Sequence, residues 1–229
     1  YRCARGKLDK VPTAERGMVH PLEVEVGPDG KLYARTFAEG LFRVDQDTLE
    51  VTPVSFLPAE ERTRWGAQLT LVDGVFWYAS DGGLWRLDRS YDHFEPVPGI
   101  RNDRKVDAFI FTPDHKFLWM ARPDALERYR REGDHFVLER RVDARQGWPS
   151  VNVADLALDK RGRVWMLGRD GMRRFDPESG SFRTFGLQDG LSNGEFVRGY
   201  AAMPDGYIYA PTMGGVVAFN PDQTETEAS

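Results

Sequence analysis

Cysteine is almost absent from this chain. A single residue, Cys3, rules out an internal disulfide, and one thiol near the start of the chain has no partner for redox or metal chemistry. Histidine is nearly as scarce. His20, His93, His115 and His135 lie far apart, and none stands at ligand spacing from Cys, Asp or Glu, so no metal or cofactor site is expected. Positive charge is in deficit: the net charge is −5, against the basic balance of nucleic-acid binders. No apolar run reaches the ~18 residues that a membrane-spanning helix needs. No stretch sustains a 3.6-residue apolar period, and at most "AEERTRW" (59–65) reads as one helical turn in a loop. No phosphate-binding glycine loop or Gly-x-Ser-x-Gly turn occurs. The chain opens at Tyr1 rather than Met, which we read as an excised piece whose membrane segments lie elsewhere.

Turn formers and aromatics are plentiful instead. There are 23 Gly, 14 Pro and 12% aromatic residues in 229 positions, with 41% hydrophobic residues to build a core. The stretch Asp81 to Asp88, "DGGLWRLD", has two turn glycines followed by an alternating run, as in the second half of a β-hairpin. Close copies recur as "EGLFRVD", "DALERYR", "DGMRRFD" and "GGVVAFN". The aligned positions are Gly40, Gly83, Ala125, Gly171 and Gly215, at intervals of 43, 42, 46 and 44. A second marker keeps step: the aromatics Tyr33, Trp77, Trp119, Trp165 and Tyr209 fall 44, 42, 46 and 44 apart.

Each unit reads as four short strands. In the fourth these are 151–158, 163–168, 172–176 and 181–185, separated by "DKRG", "RDG" and "DPESG". Four-stranded antiparallel units of about 40–50 residues are the blades of a β-propeller, and one blade cannot bury both faces without packing on its copies. The expected fold is therefore all-β: blades near 22–57, 67–98, 105–142, 150–186 and 195–221, then a polar tail at 222–229. The five marker aromatics should pack between blades. The strand positions Leu41, Leu84, Leu126, Met172 and Val216 should be core, and Leu84 and Leu87 should face away from Trp85. The repeated Asp45, Asp88 and Asp176 should form turns. The fifth unit lacks an outer strand, and the orphan stretch 6–13 resembles one. Either it completes a closed five-blade ring, or the five blades belong to a larger propeller.

"LDKRGRVWMLGRDGMRRFDPESGSFRTFGLQDGLSNGEF" (158–196) resembles the two-component regulator propeller repeat, which runs as acidic-x-x-Gly-x-aromatic, then Gly-Leu-x-Arg-aromatic-Asp. The likeness extends over nearly the whole chain from Val24 and is weakest in blade 3, which lacks both turn glycines. It implies a non-catalytic, ligand-sensing domain on the extracytoplasmic (periplasmic) side of a bacterial inner-membrane receptor. Such receptors signal as homodimers through histidine kinase or diguanylate cyclase domains that this chain does not contain, and relatives often respond to oligosaccharides.

In a propeller, the loops between blades and the second-to-third strand turns share one face. Here they carry Arg64, Trp65, Asp81, Arg101, Arg104, Arg122, Arg145, Trp148, Arg169, Asn193 and Arg198. Guanidinium forks bind carboxylates, and tryptophan stacks on sugar faces. The expected partner is thus a small anion or an oligosaccharide on this rim, with no catalytic residue, no nucleic acid and no direct membrane contact. The alternatives are a lyase or hydrolase propeller of the streptogramin-lyase type and a protein-interaction scaffold.

Overall fold

The computed structural model describes residues 2–4, 7–9, 18, 21–36, 39–56, 66–149, 152–191 and 194–224. By internal contacts the chain divides into two units, Tyr1–Val106 and Asp107–Ser229. In the first unit, β1 (Arg2–Ala4) and β2 (Lys7–Asp9) form a hairpin. Blade 1 is the antiparallel sheet β3 (Pro21–Val26), β4 (Leu32–Thr36), β5 (Leu41–Val44) and β6 (Val51–Pro53). The short β7 (Ser55–Phe56) then leaves blade 1 and pairs parallel with the outer strand of blade 2, which no sequence pattern announced. Blade 2 comprises β8 (Gly66–Val72), β9 (Val75–Ser80), β10 (Gly83–Leu87) and β11 (His93–Pro96).

The second unit holds blade 3 with β12 (Ala108–Phe111), β13 (Phe117–Arg122), β14 (Ala125–Glu132) and β15 (His135–Asp143). Blade 4 follows with β16 (Val153–Leu158), β17 (Val164–Gly168), β18 (Gly171–Phe175) and β19 (Phe182–Phe185). Blade 5 has β20 (Ala201–Ala202), β21 (Ile208–Thr212) and β22 (Gly215–Phe219). Among the described residues its sheet has three strands. Within the orphan stretch 6–13, the described residues Lys7–Asp9 pair with Arg2–Ala4. Blade 3, the weakest match to the repeat, has the longest outer strands, and a bulge at Arg128/Tyr129 absorbs its extra residue.

Period-two alternation sends successive side chains of the second strand to opposite faces. Tyr33 packs against Phe76 of blade 2, ring centroids 4.7 Å apart. Trp119 meets Phe175 of blade 4 at 5.9 Å, and Trp165 meets Phe219 of blade 5 at 4.9 Å. Directly opposite these aromatics on the third strand stand Arg43, Arg128 and Arg174. The guanidinium carbons of Arg128 and Arg174 lie 5.8 and 5.7 Å from the Trp119 and Trp165 ring centres. The repeat arginine thus lies over the repeat aromatic, an interaction of about 0.5–2 kcal/mol depending on desolvation. Trp85 and Leu87 share one cluster, as period two requires, so Leu87 does not face away from Trp85. Tyr209 and Val216 depart from the expected core positions and are exposed.

The acidic residue closing the third strand is a turn former. Asp45 accepts the amides of Asp47 and Thr48, and Asp176 those of Glu178 and Ser179. Asp88 accepts from the amides of Ser90, Asp92 and His93 and from the Ser90 hydroxyl. Burial opposes ionisation of Asp88, but these donors outweigh it and hold its carboxyl down at about 2.

Trp165→Ala should cost about 3–5 kcal/mol, read from the urea midpoint at unchanged slope. A lowered native pKa stabilises above the unfolded value and ceases to do so as pH falls through the native one. Asp88→Asn should therefore be less stable than wild type at neutral pH, and the two should converge between pH about 4 and 2.

Candidate functional site

Within each unit, the described loops that the sequence assigns to a ligand rim are hydrogen-bonded to the strand turns beside them. After β15 the chain makes a 3-10 turn at Ala144–Gln146, with Asp143 accepting the Arg145 amide at 2.9 Å and the Gln146 side chain accepting the Asp143 amide at 3.0 Å. Gly147 takes φ +90, and the next residue, Trp148, turns inward. The β19–β20 connection repeats the device at Leu187–Asp189, Gly190 (φ +89) and the buried Leu191. Backbone bonds tie these loops to the strand turns: Phe196 N to Gly168 O at 3.1 Å, Met213 N to Glu195 O at 3.0 Å and Arg169 N to Asn152 O at 3.3 Å. In blade 2 the side chain of Asn102 does the same work. It accepts the Leu84 amide at 3.0 Å and donates to the Leu84 carbonyl at 2.9 Å. Any Cβ on Gly83 (φ +140) would lie 2.3 Å from Asn102 Oδ1, so the repeat's second glycine is required here.

This stitching removes much of the expected rim. Trp148 is 3% exposed, sits in the core between blades 3 and 4, and donates its indole N–H to Pro123 O at 3.1 Å. It has no free face for a sugar. Arg122 is buried, its Nε donating to Glu127 Oε2 at 2.7 Å. The same oxygen accepts from Tyr129 Oη at 2.9 Å. Burial and the adjacent Glu127 carboxylate push the Tyr129 phenol up to about 12. Arg141 donates to Glu127 as well and reaches Asp124 at 2.7 Å. Arg198 donates to the Asp107 carbonyl at 2.8 Å and lies 3.9 Å from Asp155. Arg101 pairs with Asp103, Arg104 lies 3.5 Å from the same carboxylate, and Asp81 lies 4.0 Å from Lys105. Arg64, Trp65 and Asn193, with the "AEERTRW" turn, lie outside the described residues. Arg101, Arg145 and Arg169 are all exposed, and Arg169 donates its backbone N–H to Asn152 O.

Other groups carry more of the structure than the sequence indicated. Just after a bulge in the innermost strand, Asp155 accepts the Gly199 amide of blade 5 at 2.9 Å. Glu23, at the matching place in blade 1, accepts the Leu69 amide of blade 2 at 3.2 Å and Arg35 Nε at 2.9 Å. Both are carboxylate ties from one blade to the next, legible only once the innermost strands are aligned on their bulges. Burial, with Asp155 close by, raises the Tyr200 phenol to about 12. On the turns between first and second strands, a small open cleft is lined by Leu158, Asp159, Lys160, Met203, Tyr207 and Asp222, among others. The Asp159 carboxylate is already engaged, accepting Arg163 Nε at 2.6 Å and the Trp165 indole at 2.8 Å. Among the described residues, no three His, Cys, Asp or Glu side chains are grouped to hold a metal ion, and no helix is long and apolar enough to cross a membrane.

No family model matches the chain, and no curated protein matches it. Solved structures do. Two structures of the extracellular domain of BT4673 from B. thetaiotaomicron, one of them named as a hybrid two-component system, superpose with TM-scores of 0.68 and 0.64 at 14% and 15% identity. They match 87% and 86% of this chain and 27% of theirs. XC5397, a gluconolactonase from Xanthomonas campestris, matches at TM-score 0.61 and 12% identity over 86% of this chain and 71% of its own. Virginiamycin B lyase from Staphylococcus aureus gives 0.56 and 15% over 88% and 70%. The chain has the β-propeller fold. This propeller segment spans about a quarter of the length of the BT4673 domain.

Removing one member of a buried ion pair strands the other charge. Glu127→Gln should therefore cost about 3–5 kcal/mol in urea unfolding, whereas Arg169→Ala should change stability by less than about 0.5 kcal/mol.

Proposed function

We propose that this chain is part of a non-catalytic sensor propeller on the extracytoplasmic side of a membrane signalling receptor, and that it reads a small anionic molecule or an acidic oligosaccharide. The observation that carries the reading is the fold shared with the extracellular domain of BT4673 over 87% of the chain. The repeat resemblance around "DGMRRFD" supports it independently. Within the described rim loops, Arg145 and Arg169 are the guanidiniums positioned to meet such a ligand. Each can grip a carboxylate through two parallel N–H donors. Arg122, Arg198 and Trp148 serve beneath them as the frame that holds the loops in place.

The gluconolactonase and lyase likenesses favour a second reading, a propeller enzyme, because this chain covers 70% or more of those proteins. One assay separates the two. Melting should rise in the presence of an acidic glycan from a panel of neutral and acidic oligosaccharides, by an amount equivalent to about 2.7 kcal/mol at 100 times its Kd. Arg145→Ala with Arg169→Ala should abolish the shift and leave the unliganded melting point in place. If no glycan shifts melting while the protein turns over a lactone or a glycoside, the sensor reading fails and the enzyme reading stands.

A further inference from the structure

The small cleft beside the first-to-second strand turns of blades 4 and 5 lies wholly within the second unit. Strand β17 runs between Lys160 and Arg169, so this cleft and the rim stand at opposite ends of the blade. Gly206, in the "PDG" turn between β20 and β21, lies in it. A Cβ built on Gly206 would have Lys160 Nζ at 3.6 Å and Asn220 Nδ2 at 4.0 Å, and no closer atom of another described residue beyond its chain neighbours. Both atoms are hydrogen-bond donors. The matching turn glycines Gly30, Gly74 and Gly162 have nothing within 4 Å of that point. All four take φ between +72 and +90, so the glycine is a turn requirement common to these blades. The pair of donors belongs to blade 5 alone among them.

Both donors can face a ligand. Asn220 Oδ1 accepts the Asp222 amide at 3.0 Å, which fixes the side-chain amide and turns Nδ2 toward Gly206. Lys160 has no ion pair among the described residues. The carboxylates nearby have other partners. Asp159 accepts from Arg163 and Trp165, Asp205 accepts the Tyr207 amide at 3.0 Å, and Asp222 lies 3.7 Å from Arg161. Leu158, Ile208, Pro221 and Tyr207 line the cleft beside the donors.

We propose that this cleft binds a singly charged carboxylate carried on a compact apolar body, with the carboxylate held in front of Gly206 by Lys160 and Asn220. One ammonium and one neutral amide match one negative charge, and the bond from the ammonium is of the stronger, charge-assisted kind. Asp205 and Asp222 beside the site repel a dianion such as phosphate. The apolar lining takes the body of the ligand out of water. The site shares no residue with the rim and stands whether or not the rim binds a glycan.

Titration of the 229-residue protein with benzoate, followed through the amide NMR signals of Gly206, Tyr207 and Asn220, tests this. Benzoate should shift those signals to saturation. Benzamide, its neutral isostere, and inorganic phosphate should both bind at least about tenfold more weakly. Lys160→Gln and Asn220→Asp should each melt like wild type and weaken benzoate by about tenfold or more. The aspartate keeps the oxygen that accepts the Asp222 amide but replaces the donor with a second oxygen. Arg145→Ala with Arg169→Ala should leave benzoate binding unchanged, which separates this site from the rim. The absence of a saturable shift, benzamide or phosphate binding as well as benzoate, or unchanged affinity in either variant would each overturn the proposal.

Discussion

The ring carried by the second strand of one blade and received by the sheet of the next is the contact on which this structure rests. A four-stranded meander has two apolar faces and can cover neither by itself. Tyr33, Trp119 and Trp165 bridge that gap between blades 1 and 2, 3 and 4, and 4 and 5, meeting Phe76, Phe175 and Phe219. Everything else is arranged around these rings. The third strand supplies an arginine that lies over the ring, and the innermost strand supplies a carboxylate that catches an amide of the following blade. Glycine turns allow the hairpins to reverse within the short span that a blade permits.

Arginine is used here mainly as inter-blade mortar. Arg43 donates to the Tyr91 carbonyl in blade 2 at 3.2 Å, Arg140 to Pro177 in blade 4 at 2.6 Å, and Arg163 to Pro221 beyond blade 5's last strand at 3.0 Å. Arg183 adds a bond to the Thr224 carbonyl at 2.9 Å, so Pro221 and Thr224 are both tied back onto blade 4. A long side chain with five donors can reach an unpaired carbonyl on the next sheet while its stem covers apolar surface. The same physics takes Arg122 and Arg198 out of the predicted rim: a guanidinium that satisfies a carbonyl or a buried carboxylate has few donors left for a ligand. Arg145 and Arg169, by contrast, are exposed.

The period, the strand order and the role of "DGGLWRLD" were legible from the residues because each rests on local chemistry repeated five times. Turn glycines, period-two alternation and an aspartate that caps its own turn need no distant partner. The pairing of aromatic with arginine recurs in the first four units and is missing from the fifth, where Ala218 stands opposite Tyr209. The fate of the candidate site was not legible. Arg198 finds its carbonyl 91 residues away, and Trp148 finds Pro123 across a loop. Nothing in the local sequence distinguishes these from Arg169, which lies in the same kind of turn and stays in solvent.

By itself, then, the sequence determined five repeat units, their period and the aromatic that marks each second strand, because hydrophobic periodicity and turn stereochemistry act over a few residues. Only the tertiary structure decided which charged side chains are consumed in holding blades together and which marker positions are left uncovered. Tyr209 has the same sequence environment as Trp165, yet one is exposed and the other buried. Burial depends on whether a sheet lies across the way, and that is a property of the assembled fold.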